Sequence, residues 1–225
     1  MGRFEHREWV ITIDGPSGAG KSSSATALAR RLGVRCLHSG LLYRAVAWKV
    51  LTGGISAQDQ QAVELFCRPI QIRLAEDAIW VDNTEATPYL RLPEVAQASS
   101  IISAFPGVRQ GLLSIQRDLA KSGGLVAEGR DMGTVVFPNA DLKFYLDADP
   151  QVRFQRQYII LPPQKVAPDV YQNQVAQRDL QDSQRAVAPL KPAMGAIVID
   201  STWMTPEAVL DRMLSEIGNR TGPRP

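Results

Sequence analysis

Between an apolar run, Trp9 to Asp14, and a helix-like segment from Ser22, the chain places three glycines and a proline and closes on a lysine: IDGPSGAGKSSS, residues 13–24. Gly15, Gly20, Lys21 and Ser22 satisfy the spacing G-x-x-x-x-G-K-[ST], a pattern with a physical meaning only between a strand and a helix. Both flanks are present. Trp9-Val-Ile-Thr-Ile-Asp14 is short, β-branched and mostly apolar, as a buried parallel strand requires. Beyond the loop, Ala25, Leu28, Ala29 and Leu32 recur at helical spacing, and Gly33 follows as a cap.

Each residue type in the loop has a chemical use. Glycine takes positive φ and lets the backbone approach a ligand, so successive N–H groups converge on an anion at the positive end of a helix. Lys21 sets a cation against the β and γ phosphates of a nucleotide, and the Ser22 hydroxyl ligates Mg²⁺, with Ser23 as the alternative hydroxyl.

The 225 residues suffice for one well-buried domain with a small insertion. A formal net charge of +2 gives no reason to expect a nucleic acid or an anionic membrane as partner. Basic residues are mostly arginine, whose planar fork grips phosphate bidentately, although a GC-rich genome produces the same bias. Cys36 and Cys67 are far apart and lack histidines at metal spacing, so neither a zinc site nor a disulfide framework is expected. A reducing cytoplasm fits; residues 1–8 lack the apolar core of a signal peptide, and no apolar run approaches membrane-spanning length.

Past the loop, helix-like and strand-like segments alternate. Helices are expected at Leu41–Leu51, Val108–Ala120, Pro150–Ile160, Val170–Ser183 and Pro206–Ile217, and strands at Leu125–Ala127, Leu142–Leu146 and Ala196–Ile199. This βαβα order implies a parallel sheet covered on both faces, with ligands at the carboxyl ends of its strands. Residues 62–103 break the rhythm: Gln71–Leu74 and Ala78–Val81, joined by Glu76-Asp77, predict a small inserted antiparallel sheet. The proline-rich Leu161–Pro168 reads as a loop or lid, and the last residues, 221–225, as a frayed tail.

Polar clusters fall where strands end. At Gly129-Arg130-Asp131 an arginine and an acid face the crevice, suited to a phosphate and to a base or ribose, or else to a salt bridge in a turn. Arg178, Asp182 and Arg185 place plus, minus, plus on one helix face, which taken alone reads as a solvated face laced by ion pairs. Arg153 and Arg156, one turn apart before the lid, are either mobile cations closing over a phosphoryl group or surface charges. Ser39 and Arg44 flank a helix entrance where anions are favoured, and His38 beside them reads as structural. Asp147 ends its strand as a Walker B acid does, yet Ala148 stands where a motor ATPase needs glutamate, and no N-K-x-D guanine reader is found.

With IDGPSGAGKS, SGLLYR, AFPGVR, EGRDMGTVVFPNADLKFYLDA, RDLQDSQRAVAPLKPA and IDSTWMTPEAV in place, the chain closely resembles the bacterial cytidylate kinases from Val10 to Met213. The pairing of GRDMGTVVFP with RDxxDSxR is the specific part. The resemblance implies a P-loop nucleoside monophosphate kinase fold: an α/β protein with a parallel five-stranded sheet flanked by helices, an inserted monophosphate-binding subdomain and a lid. It divides the chain into a core at 8–61 and 104–220, the insertion at 62–103 and a lid at 157–172.

The implied reaction passes the γ-phosphoryl of ATP to CMP or dCMP. The resemblance places ATP on the loop residues Gly15, Pro16, Ser17, Gly18, Ala19, Gly20, Lys21, Ser22 and Ser23, with Mg²⁺ as cofactor. It implies Ser39, Arg44, Arg130 and Arg185 around the acceptor phosphate, Arg178 and Asp182 at the ribose, and Ser100, Arg109 and Asp131 at the cytosine. Lys21, Arg130, Arg153, Arg156 and Arg185 are then the catalytic cations; a cytoplasmic monomer is expected. The chain departs from many members in following Arg156 with Gln157 rather than a second arginine, and in its proline-rich lid. Two readings compete: a kinase of the same loop class with another small acceptor such as shikimate, and a binding protein that holds ATP without turning it over.

Overall fold

A computed structural model describes residues 8–75, 78–121, 123–160 and 167–221. The expected turn at Glu76-Asp77, the middle of the expected lid (161–166) and the end of the tail (222–225) lie outside these residues. The chain forms two compact units, one running to Leu37 and resuming at Ala120, the other spanning His38–Leu119.

The first unit contains β1 (Val10–Asp14), α1 (Lys21–Leu32) and β2 (Arg35–His38), whose last residue opens the second unit. The second unit continues with α2 (Ser39–Thr52), α3 (Gln60–Cys67), β3 (Ile72–Leu74), β4 (Ile79–Val81), β5 (Thr84–Glu85), α4 (Pro93–Ile102) and most of α5 (Pro106–Ala120). The first resumes with β6 (Leu125–Gly129), β7 (Leu142–Asp147), α6 (Pro150–Ile160), α7 (Pro168–Gln184), β8 (Ile197–Asp200) and α8 (Pro206–Thr221).

The five-stranded parallel sheet has the order β2-β6-β1-β7-β8, so β1 is central. Centrality explains its composition: with helices on both faces, Ile11, Thr12, Ile13 and Asp14 are all buried and no polar alternation survives. Ile11, Ile13, Leu28, Val126, Phe144, Leu146, Met213 and Ile217 form the core, each side chain contributing about 1.5–3 kcal/mol by leaving water. Register does the rest for function. Asp14 pairs with Gly129 on one side and with Tyr145 on the other, so the loops after β1, β6 and β7 leave the sheet together. α1 ends as its sequence predicts, Gly33 at φ 68 donating its N–H to Ala29 and Arg30 carbonyls.

The second unit carries an antiparallel sheet, β3-β4-β5, within the stretch where the alternation broke. Ala45 of α2 packs with Ile79, Val81, Ala86 and Leu90 as its core. Arg73 lies over the Trp80 ring at 4.9 Å, and Trp48 stacks on Tyr89 at 5.6 Å, which screens the small core from water.

Candidate active site

The loop from Gly15 to Gly20 has glycine where only glycine fits. At Gly15, φ 151, a Cβ would lie 1.9 Å from the Leu146 carbonyl oxygen, and at Gly18, φ 77, it would lie 2.4 Å from that of Arg153. The loop is therefore pressed onto the carboxyl end of β7 and the first turn of α6. Gly20, φ 92, then turns the chain into α1, whose first residue is Lys21.

Lys21 is buried, and its Nζ donates to the Pro16 carbonyl at 2.7 Å. Burial, with the Arg130 guanidinium nearby, pulls its pKa from 10.5 down to about 7, against the opposing pull of Glu128, Asp14 and Asp179. Asp14, at the end of β1, is pushed the other way, up to about 6 by burial. Its carboxylate accepts the backbone N–H groups of Met132 (2.8 Å) and Gly133 (2.7 Å), and so shapes the π-helical turn Met132–Val136 that follows Asp131. The two loop hydroxyls differ. Ser22 Oγ donates to the buried Glu128 carboxylate at 2.9 Å, whereas Ser23 Oγ donates to the Gly20 carbonyl at 2.8 Å on the exposed side.

Ser17 is the junction of the site. Its N–H donates to Asp179 Oδ1 at 3.2 Å, its hydroxyl accepts from Arg130 Nη2 at 2.7 Å, and its carbonyl accepts from Arg153 Nη1 at 3.1 Å. Arg130 in turn donates through Nε to Asp182 Oδ2 at 2.7 Å. Burial alone would lower the Arg130 pKa, but the Asp182 carboxylate, supported by Glu128 and Asp179, raises it above the ordinary arginine value. Arg185 stands 3.7 Å from Asp182 and 3.8 Å from Asp131, and its Nε donates to the Ala188 carbonyl at 2.6 Å. Arg130, Asp182, Arg185 and Asp131 thus form, in that order, one largely buried chain of alternating charge. Arg178 is half-buried one turn earlier on α7.

Arg153 and Arg156 are both anchored in this structure. Arg153 is buried, donates through Nε to the Ala148 carbonyl at 3.0 Å, and ion-pairs with Asp179. Asp147 lies 3.9 Å from it and is half-exposed, its Oδ1 accepting the N–H of Ala148. Arg156 donates to the Ser201 hydroxyl at 3.0 Å and carbonyl at 2.7 Å.

In the second unit, Ser39 is buried as the first residue of α2, and Arg44 Nη1 donates to the Leu90 carbonyl at 3.1 Å. Arg109 is buried, donates to the Ser103 carbonyl at 2.8 Å and lies over the Tyr43 ring at 5.5 Å. Ser100 is half-buried on α4, its carbonyl accepting from Ser103 Oγ at 3.0 Å. Sequence reasoning gave no role to Asp14, Glu128 or Asp179, although all three lie within the motifs IDGPSGAGKS, EGRDMG and RDLQDSQR.

A central parallel strand that runs into a glycine-bound loop, a buried lysine and a helix N-terminus defines a P-loop nucleotide-binding protein. The comparisons carry this to a family. The cytidylate kinase family model matches residues 11–219. A cytidylate kinase of Solibacter usitatus (strain Ellin6076) is 38% identical over 224 residues, covering 98% of this chain and 97% of its own. One of Pseudomonas paraeruginosa (strain DSM 24068 / PA7) is 42% identical over 215 residues, covering 91% and 93%. Among solved structures, an uncharacterized protein from Eubacterium ventriosum ATCC 27560 shares the fold, with a TM-score of 0.52 at 10% identity over 93% of this chain and 98% of that one. The chain belongs to the cytidylate kinase family.

Proposed function

We propose that this kinase transfers the γ-phosphoryl group of ATP to CMP or dCMP, giving ADP and CDP or dCDP, with ATP on the loop of residues 15–23. The observation that carries the reading is the meeting of three guanidinium or ammonium groups around one loop: Lys21 bonds within it, while Arg130 and Arg153 both bond Ser17. Two phosphate groups repel each other, so an enzyme that joins them needs cations set between them before they arrive.

Residues on this chain fit Mg·ATP. Gly15 and Gly18 let the loop backbone lie against the Leu146 and Arg153 carbonyls with positive φ, and Lys21 stands at the start of α1, where anions are favoured. Ser22 donates its hydroxyl hydrogen bond to Glu128, which leaves its oxygen lone pairs for a cation. We assign Ser22, rather than Ser23, as the hydroxyl that holds Mg²⁺. Bound there with the nucleotide, Mg²⁺ would supply neutralising charge to the β and γ oxygens.

The acceptor phosphate is already an anion near neutral pH, so the chain needs no general base to make a nucleophile. Its residues orient instead. Arg130 and Arg185 are assigned to the acceptor phosphate, Arg178 and Asp182 to the ribose, and Asp131 to the base, where a carboxylate accepts the exocyclic amine of cytosine but faces the carbonyl of uracil oxygen to oxygen. In the second unit the reading assigns Ser39 and Arg44 to the acceptor phosphate and Ser100 and Arg109 to the cytosine. Arg153, anchored beside the loop, is assigned to the transferring group, and Arg156, held by Ser201, to the nucleotide-donor side of α6. The segment 157–172 as lid, 62–103 as the monophosphate-binding insertion, a monomeric state and a cytoplasmic location complete the reading; no helix among the described residues is long and apolar enough to cross a membrane.

Chromatography of the products tests the reaction. Incubation with Mg·ATP and CMP should release ADP and CDP in equal amounts; ADP without CDP would contradict it.

A further inference from the structure

Asp179 has no role in the reaction as proposed, yet it binds two of the loop's phosphate-seeking groups. It sits on α7 between Arg178 and Asp182, its side chain only 16% exposed, and its two oxygens divide between the Ser17 N–H, at 3.2 Å, and the Arg153 guanidinium. These are a backbone amide from the middle of the glycine loop and a cation anchored beside it, the donor set that a phosphate oxygen would seek. A carboxylate is an anion of similar reach. The Asp179 charge is also felt by Lys21 and Arg130, raising the pKa of each.

We propose that Asp179 is an anionic placeholder, a positioning residue that holds the Ser17 amide and Arg153 before a nucleotide binds and yields both to the polyphosphate of ATP. The inference rests on the assignment of ATP to this loop. Its structural requirement is that Arg153 stay in place when the carboxylate leaves, and two further bonds provide for that: Arg153 Nε on the Ala148 carbonyl at 3.0 Å and Nη1 on the Ser17 carbonyl at 3.1 Å. Only the Asp179 side chain has to withdraw. Until it does, a fixed negative charge opposes the entry of a nucleotide, so ATP affinity is held below what the loop could reach, and idle transfer to water is restrained.

The sign of the effect separates this role from an ordinary structural one. Loss of a merely structural ion pair weakens binding, whereas loss of a competing anion strengthens it. Mg·ATP binding without acceptor, measured by titration calorimetry on the full chain, should tighten by about threefold or more in Asp179→Asn and Asp179→Ser, and stay within about twofold of the parent in Asp179→Glu, which keeps the charge. ADP release without acceptor should rise in the first two variants. Affinity equal to or below the parent's in variants that melt as the parent does overturns the proposal and leaves the ATP site standing. A parent chain that binds no Mg·ATP removes the ATP assignment and the proposal with it. If the neutral variants fail to fold, the parent still decides: the carboxyl-carbon NMR signal of Asp179 should move when Mg·ATP is added, and an unmoved signal overturns the placeholder role.

Discussion

Ser22 Oγ stands 2.9 Å from Glu128 Oε1 and donates its proton to that buried carboxylate, which separates it from Ser23, whose hydroxyl turns back to the Gly20 carbonyl. Only Ser22 has its proton held away by an acid at the end of β6, leaving its lone pairs for a cation. Ser22→Ala should therefore raise the Mg²⁺ concentration needed for half-maximal turnover by about tenfold, as loss of an outer-shell partner or ligand commonly does, while Ser23→Ala stays within about twofold. Activity as a function of Mg²⁺ at fixed ATP reads the difference.

Lys21 predicts a proton uptake. Its pKa is lowered from 10.5 to about 7, so between these values the amine is mostly neutral in the folded chain. Polyphosphate beside it favours the charged form, so binding near pH 8 should draw up to one proton from the buffer and weaken as pH rises further. Calorimetric titration of ATP in buffers of different ionisation enthalpy measures this, and Lys21→Met should abolish the uptake with most of the affinity.

Asp14 predicts a pH dependence of stability of unusual sign for a carboxylate. Its folded pKa, about 6, lies above the ordinary 3.8, so the folded chain holds this proton more tightly than the unfolded one. The group then subtracts stability as pH rises from about 4 through about 6, by on the order of 3 kcal/mol, and contributes no further change above that window. Denaturant midpoints of the parent and Asp14→Asn across pH 4–7 should converge at the acid end, apart from a constant offset for the lost Gly133 or Met132 hydrogen bond.

Arg185→Ala should raise the Michaelis constant for CMP tenfold or more with ATP affinity changed less than about twofold, because a charge-assisted bond contributes about 1.5–3 kcal/mol and Arg185 lies against Asp131, Asp182 and the Ala188 carbonyl. Arg130→Ala should affect both substrates, since the same guanidinium holds Asp182 and Ser17. It should also destabilise the fold by about 3 kcal/mol by leaving Asp182 short of its closest cation. Steady-state kinetics with each substrate varied, alongside denaturant unfolding, separates the two variants.

What could be read from the sequence is what lies close in the chain. The strand, loop and helix around Gly15–Ser22 follow one another directly, and β1, α1 and the Gly33 cap stand where the pattern places them. The ion pairs are different. Arg178, Asp182 and Arg185 on their own read as a solvated face, yet Asp182 is buried because its closest cation, Arg130, arrives from a strand end 52 residues earlier. Spacing along a helix carries no trace of such a partner. Arg153 and Arg156 could be surface charges or mobile cations for the same reason; the carbonyls of Ala148, Ser17 and Ser201 that anchor them are backbone groups, which residue identity does not advertise. Asp179 and Glu128 were hidden beside better-known neighbours, their partners Ser17 and Ser22 lying 162 and 106 residues away.

The assignment of the acceptor site turns on which monophosphate is phosphorylated. ADP formation from Mg·ATP should be measured side by side with CMP, dCMP, UMP, AMP and no acceptor, for the parent and for Asp131→Asn. Turnover with CMP and dCMP well above UMP, AMP and water, with the margin over UMP narrowed in the variant, is the predicted result. Equal turnover with another acceptor, or a rate indifferent to acceptor, would contradict the assignment of the acceptor site while leaving the phosphate loop in place.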